Sequence, residues 1–419
     1  MSDAERIVII GASQAGARAA EALRGAGFAG ELVLVGDEPE LPYERPALSK
    51  GVLLGTESAE STRIHPAEFY RDQRITLRTG VRAEAIAPAS RTVMLADGGR
   101  LAYHQLLLCT GSRVRPLIGA DDALAGLHYL RTLHDCQRLA QSFQPGRRLV
   151  VIGGGFIGLE VAASERKHGL EVTVVERQGA LLERALPPDI AAQVEALHRG
   201  HGVAVRTGAS VGRIAPDESG TRVAAVEFTD GSALQADLVV VGIGIIPNTE
   251  LAEAAGARSA DGVVVDEYGS TSVEGIWAAG DVTNHFNPIL GRRVRLESWQ
   301  NAQNQAIAVA RNMVGELKPY AEVPWFWSDQ YEVNLQMAGV SDPRARTVWR
   351  GEPGVNRTLA FSLLDGRVIC AVAFNAGGEM RFVRKLIESG ARVPAEVLAD
   401  PARKLKDVVK EFAAEGAAA

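Results

Sequence analysis

Cysteine is nearly absent from this chain. Only Cys109, Cys136 and Cys370 carry thiols among 419 residues, and none has a neighbour at the CxxC or CxxxxC spacing of a redox dithiol or a zinc site. A disulfide-stapled scaffold is therefore excluded. Aromatic residues make up only 5% of the chain, and basic side chains do not outnumber acidic ones: 45 Lys and Arg stand against 51 Asp and Glu, a net charge of -6. Without a cationic excess there is no broad attraction to phosphate backbones or anionic lipid, so neither nucleic acid nor membrane is expected as a partner. Long apolar runs are missing too. The longest stretch free of charge, Ser298 to Ala310, has 13 residues, about half of them polar, against the roughly 18 apolar residues of a membrane-spanning helix. Met1 to Arg6 passes from acidic residues into a strand with no basic segment or cleavage site, so a cytoplasmic location is expected. The eight histidines show no ligand spacing, are read as surface or hydrogen-bonded residues, and no metal is expected.

Glycine, in contrast, is plentiful, with 44 positions. Such a bias fits a chain whose backbone must approach cofactors and whose helices pack closely on sheets. Its length predicts two to four domains at roughly 100–200 residues each. Arg6 to Ile10 is a short apolar run that meets Gly11-Ala12-Ser13-Gln14-Ala15-Gly16, followed by small and apolar residues at helical spacing through Leu23. A second run, Leu32 to Val35, ends at Gly36-Asp37, which puts an acid 21 residues beyond Gly16. This is a βαβ unit with a phosphate-binding turn. The pattern recurs where Leu149 to Ile152 leads into Gly153-Gly154-Gly155-Phe156-Ile157-Gly158, and Glu171 to Val175 ends at Glu176, 18 residues after Gly158.

A pyrophosphate needs backbone N–H donors with no side chain in the way, which Gly153, Gly155 and Gly158 provide. The first loop carries Ser13 at the middle position, a less open approach. Asp37 and Glu176 stand where a carboxylate accepts hydrogen bonds from an adenosine ribose; Glu176 would repel a 2′-phosphate and so favours NAD over NADP, although Arg177 beside it pulls the other way. One such loop alone fits a ligand-free turn equally well. Two loops, each with its acid, point to two dinucleotides, a flavin held permanently and a nicotinamide that comes and goes.

Further strands are expected at Ile75 to Leu77, Thr92 to Leu95, Leu106 to Leu108, Leu238 to Val241, Gly262 to Val265 and Ile276 to Ala279, and a helix over Ser298 to Val314. Composition changes at Pro319 to Pro324. Beyond it come Trp325, Trp327 and Trp349, strand-like runs at Arg357 to Leu363 and Val368 to Ala373, and helical segments from Met380. The fold class is α/β: two Rossmann-like dinucleotide-binding domains with a C-terminal α+β domain.

The segment Gly36 to Lys50 (GDEPELPYERPALSK), together with Gly153 to Glu160, Gly242 to Asn248, Trp277 to Asp281 and Trp325 to Gln330, resembles the FAD-dependent NADH:ferredoxin reductases of bacterial oxygenase systems, a branch of the glutathione-reductase-like flavoproteins. The likeness covers nearly the whole chain, from Arg6 through the C-terminal domain, and implies an FAD-binding domain in two segments, 1–112 and 245–319, an inserted NAD-binding domain, 113–244, and a C-terminal domain, 320–419, at the flavin. The same likeness assigns the site residues. It implies FAD on the Gly11, Ser13, Ala15 and Gly16 loop, with Asp37 at the ribose, Lys50 near the flavin ring, Ala83 at the adenine end and Arg131 in contact with the cofactor. Asp281 is implied at the ribityl chain, Trp299 beside the isoalloxazine, and Trp327 facing the flavin or nicotinamide. NADH is implied on Gly153, Gly155, Ile157 and Gly158, with Glu160 near the nicotinamide, Glu176 at the ribose, and Arg184 and Gly244 flanking. Lys50 and Glu160 are the residues implied in catalysis, as an ion pair that orders the flavin site. Taken one at a time, Lys50 and Glu160 also fit a solvated lysine and a dipole-favourable glutamate, and the tryptophans fit core aromatics.

Passing a hydride between two stacked rings needs no protein nucleophile, only positioning and a favourable field, which the N-terminus of the Ser298 helix and Lys50 could supply. No cysteine follows Lys50, where Gly51-Val52-Leu53 stand, so dithiol and cysteine-dependent oxidase chemistries lose support and electrons are expected to leave singly for an external carrier. The carrier implied is a small [2Fe–2S] ferredoxin, with rubredoxin as the variant, feeding a cytochrome P450 or a ring-hydroxylating dioxygenase. An NADH oxidase or monodehydroascorbate-type reductase, and an apoptosis-inducing-factor-like redox sensor, remain the alternatives. Candidate basic docking patches are Arg292, Arg293 and Arg295, or Arg381, Arg384 and Lys385.

Overall fold

The computed structural model describes residues 5–354 and 356–416. The chain divides into two compact units, one of Met1–Glu44, Glu60–Arg113 and Ile246–Pro324, the other of Arg45–Ala59, Val114–Ile245 and Trp325–Ala419.

The first unit is built on a five-stranded parallel sheet in the order Ile276–Ala278, Gln105–Leu108, Arg6–Ile10, Glu31–Val35, Ile75–Arg78. Its strands are apolar at successive positions because both faces are covered. Val8, Ile10, Val33 and Val35 point to one side with Leu106 and Leu108, over a small antiparallel sheet that contributes Ala83, Ile86, Val93 and Leu95. Ile7, Ile9, Leu32 and Leu34 point to the other, against the helices Gln14–Gly25 and Trp299–Met313. Ala15, Ala19, Ala302 and Ala306 line that packing; such short side chains let helix axes approach closely.

In the second unit a parallel sheet runs Ala204–Arg206, Glu171–Val175, Arg148–Ile152, Leu238–Val241, Leu127–His128. The order repeats that of the first sheet: the strand before the glycine loop at the centre, the acid-bearing strand beside it, and an antiparallel trio, Val211–Pro216, Val223–Phe228 and Ala233–Gln235, in the following connection. The same unit contains a five-stranded antiparallel sheet, Trp325–Gln330, Val333–Gly339, Arg367–Phe374, Thr358–Leu364, Arg346–Arg350, backed by the helix Met380–Ser389.

Two elements start later than the sequence expectation for visible reasons. The helix expected over Ser298 to Val314 spans Trp299–Met313, because Ser298 is extended and its Oγ accepts from the Asn301 N–H at 3.2 Å as an N-cap. The strand expected from Gly262 is only Val263–Val264, since Gly262 sits at φ +109°.

Candidate functional site

Each glycine loop joins the central strand of a parallel sheet to a helix, which aims unpaired N–H groups at whatever lies above the strand ends. A Cβ at Gly11 would strike the Cys109 carbonyl, and one at Gly16 would strike the carbonyl of Gly11. Gly153 and Gly158 are confined in the same way by the carbonyls of Gly242 and Gly153. Gly155 is different. A Cβ there meets nothing within 4 Å, so the space that its missing side chain leaves is open. Three glycines thus have distinct reasons to be glycine, two for the close approach of chain to chain and one for the approach of a ligand. A dinucleotide fits that cradle.

Ser13 occupies the equivalent position in the first loop. It is the N-cap of the helix Gln14–Gly25, yet its side chain makes no capping hydrogen bond. Asp37 is exposed just past the strand Glu31–Val35, and Ala83 starts the strand Ala83–Ala87 with its side chain buried. Asp281 sits on a turn fixed by Gln305, whose Oε1 accepts from the Gly280 N–H and the Thr283 hydroxyl, both at 2.9 Å. Ser112 Oγ lies 3.3 Å from Asp281 Oδ2. Trp299 opens its helix, whose first turns are held by Glu322: its Oε2 accepts from Gln300 at 2.8 Å and from Asn304 at 2.7 Å. Gln305 and Glu322 were not legible as site supports in the sequence. An amide in a polar helix face gives no signal of which turn it grips.

The second unit gathers the other group. Lys50 Nζ lies 2.8 Å from Glu160 Oε2, with the lysine side chain 18% exposed and the glutamate 1%. Glu160 is in the first turns of the helix Phe156–Lys167, directly after the second loop. Its Oε2 also accepts from Ser49 Oγ at 2.5 Å and its Oε1 from Ser328 Oγ at 2.6 Å, so the buried carboxylate is fully satisfied. The Ser164 hydroxyl fixes the Ser49 carbonyl at 2.9 Å, and the Arg45 guanidinium donates to the Arg131 carbonyl at 2.7 Å. Lys50 Nζ is 6.0 Å from the Trp327 ring centroid, and Trp327 stacks on Trp325 at 5.3 Å. Neither tryptophan is fully buried, so the core-aromatic reading does not describe them.

Glu176 holds its own loop. One carboxylate oxygen accepts from the Gly154 N–H at 2.7 Å and the other from the Gln178 N–H at 2.8 Å, and each can accept a further hydrogen bond. Ile157, 48% exposed, Arg184 and Gly244 are open to solvent. All three cysteines are buried and unbridged, and burial pushes Cys136 up to about 11 and Cys370 up to about 12. Among the described residues no cluster could hold a metal ion, and no helix is long and apolar enough to cross a membrane.

One expectation needs correction. His285 is neither at the surface nor hydrogen-bonded: it is 2% exposed, both ring nitrogens lack partners among the described residues, and burial pulls it down to about 4. In the first candidate docking patch Arg292 and Arg293 are exposed, Arg293 donates to the carbonyls of Val265 and Asn284, and Arg295 is 13% exposed and paired with Asp261 and Glu297. Arg381 and Lys385 are exposed on their helix.

Residues 5–306 match the family model described as pyridine nucleotide-disulphide oxidoreductase, and residues 325–409 match the one described as reductase C-terminal. The chain is 45% identical to the anthranilate 1,2-dioxygenase system ferredoxin–NAD(+) reductase component of Burkholderia cepacia, over 96% of this chain and 99% of that protein. It is 38% identical to putidaredoxin reductase of Pseudomonas putida over 99% of both. The reductase in the crystal structure of the covalent putidaredoxin reductase–putidaredoxin complex superposes with a TM-score of 0.95 at 38% identity, over 97% of this chain and 98% of that one.

Proposed function

This chain belongs to the pyridine nucleotide-disulphide oxidoreductase family, and from that membership we propose that it is a cytoplasmic NADH-dependent ferredoxin reductase. It takes electrons in pairs from NADH through FAD and delivers them one at a time to a small [2Fe–2S] ferredoxin, or to rubredoxin, that serves a cytochrome P450 or a ring-hydroxylating dioxygenase. The observation that carries this reading is the pairing of two dinucleotide loops with a chain whose three thiols are all buried. An enzyme with two such loops and no usable thiol must hand its electrons to something else.

FAD, when bound, supplies the step from a two-electron donor to a one-electron acceptor. The chain supplies position and field. Gly11, Ser13, Ala15 and Gly16 offer the N-terminus of the helix Gln14–Gly25 to the FAD pyrophosphate, Asp37 takes the ribose hydroxyls, Ala83 meets the adenine end through its backbone, and Asp281 holds the ribityl chain. Trp299 and the N-terminus of its helix place an aromatic edge and partial positive charge at the ring. Gly153, Gly155, Ile157 and Gly158 receive the NADH pyrophosphate, with Glu176 at the ribose and Arg184 and Gly244 flanking. Lys50, paired to Glu160, contributes a fixed cation, and Arg131 and Trp327 would add the cofactor contacts implied by the resemblance. Residues 1–112 and 245–319 form the FAD-binding domain of this scheme, 113–244 the NAD-binding domain and 320–419 the C-terminal domain.

The deciding experiment is NADH-dependent cytochrome c reduction with and without a panel of purified [2Fe–2S] ferredoxins and rubredoxin. At least one carrier should stimulate the rate many-fold. Stimulation by none, with fast turnover on oxygen or ascorbyl radical, would replace this reading with an oxidase or a radical reductase.

A further inference from the structure

The Glu160 carboxylate is one end of a longer run of hydrogen bonds inside the second unit. Ser328 Oγ donates to Glu160 Oε1, Gln330 Nε2 donates to Ser328 Oγ at 3.0 Å, and His198 Nε2 lies 2.8 Å from Gln330 Oε1. The directions are forced by chemistry. An amide oxygen only accepts, so the imidazole proton is on Nε2; the amide nitrogen uses one lone pair of the serine oxygen, so the single hydroxyl proton goes to the carboxylate. Every dipole in the chain therefore points toward one negative charge. Burial lowers the His198 pKa, and Tyr331 packs edge-on against the ring at 5.2 Å.

Packing does not require this chain. Ser328, Gln330 and His198 are 0%, 2% and 0% exposed, and apolar side chains would fill three such sites without the cost of desolvating polar groups. A fully satisfied buried network instead enforces a unique arrangement. Here it fixes one oxygen of Glu160 while Lys50 and Ser49 fix the other, so the carboxylate cannot rotate. Ser328 also follows Trp327 on the strand Trp325–Gln330, and the chain anchors that strand to the helix Pro188–Gly200 through His198.

We propose that Ser328, Gln330 and His198 are positioning residues that hold the Glu160 carboxylate, and through it Lys50, in one orientation for electron transfer from the nicotinamide. The proposal rests on the roles given above to Lys50 and Glu160. It locates the control of that ion pair in the C-terminal sheet and in the helix Pro188–Gly200, outside the glycine loop.

Stopped-flow reduction of the bound flavin by NADH, with the visible circular dichroism of the flavin before NADH is added, tests it. Ser328→Ala should lower the limiting reduction rate about tenfold while NADH Kd stays within about twofold, and should alter the dichroic band. Ser328→Thr keeps the hydroxyl and should recover the rate to within about threefold. His198→Leu, which touches neither Lys50 nor Glu160, should lower the rate about threefold with the same change in dichroism, and His198→Gln, which retains a donor, should not. The histidine pair decides the matter if Ser328→Ala does not fold. Wild-type rates and dichroism in Ser328→Ala and His198→Leu would overturn the chain and leave the reductase reading intact. A wild-type protein whose flavin NADH does not reduce would overturn both.

Discussion

Gly16 packs its α-carbon so near the carbonyl of Gly11 that no side chain fits between them. Gly155, at the middle of the other loop, has open space where its side chain would be. Alanine at the two positions should therefore fail in different ways. Gly16→Ala should yield protein with little bound flavin and a lowered melting temperature. Gly155→Ala should melt as the wild type does and retain flavin, but raise the KM for NADH at least about tenfold, because the new methyl occupies ligand space. Absorbance of purified protein at flavin and protein bands, thermal melts and NADH saturation curves separate the two.

Breaking the Lys50–Glu160 pair from the cation side leaves a buried carboxylate with two hydroxyl donors and no counter-charge. Lys50→Met should cost about 3 kcal/mol of stability, and adding Glu160→Gln should recover part of that loss. Urea unfolding of the single and double variants measures the coupling. If the double variant is as unstable as the sum of the singles, the pair is not coupled.

Glu165 provides a pH dependence. It is fully buried, neither carboxyl oxygen has a hydrogen-bond partner among the described residues, and burial pushes its pKa up to about 9. The folded protein thus keeps a proton that the unfolded chain releases near its ordinary value of 4.5. Stability from this group is complete below that value and is lost as pH rises through about 9, at about 1.4 kcal/mol per pH unit in between. Glu165→Gln should be no more stable than wild type at pH 5 and clearly more stable at pH 8.5. Melting curves at the two pH values check the sign.

Coenzyme choice should turn on Glu176. Its carboxylate also ties down the N–H groups of Gly154 and Gln178, so Glu176→Ala should weaken NADH as well as admit NADPH. The ratio of kcat/KM for NADH over NADPH should fall by at least about tenfold, with Arg177 free to meet the 2′-phosphate. Steady-state kinetics with both coenzymes gives the ratio directly.

The parts of this molecule legible in its sequence are those where a local pattern has one physical meaning. Gly153, Gly155 and Gly158 announce a turn because only glycine tolerates the approaches seen there, and Val150, Val151 and Ile152 read as a buried parallel strand because both of its faces are covered. Lys50 and Glu160 were reachable only through a family resemblance, since 110 positions separate them in the chain. Ser49 and Ser328 lie inside the segments that carry the resemblance, but nothing there marks them as partners of Glu160. A serine that donates to a carboxylate 111 or 168 residues away looks like any other serine, and the same holds for Gln330 and His198 behind it. Long-range polar chains are made by topology, and topology follows from the apolar pattern without recording which polar groups it brings together.

The burial of Cys109, Cys136 and Cys370 has a consequence for the life of the protein. A reductase that feeds an oxygenase works where peroxide and superoxide are made as by-products. With every thiol inside the fold and held in the unreactive protonated form, this chain offers such oxidants no sulfhydryl to attack. Resistance to thiol oxidation thus follows from the same scarcity that denies the flavin an internal acceptor.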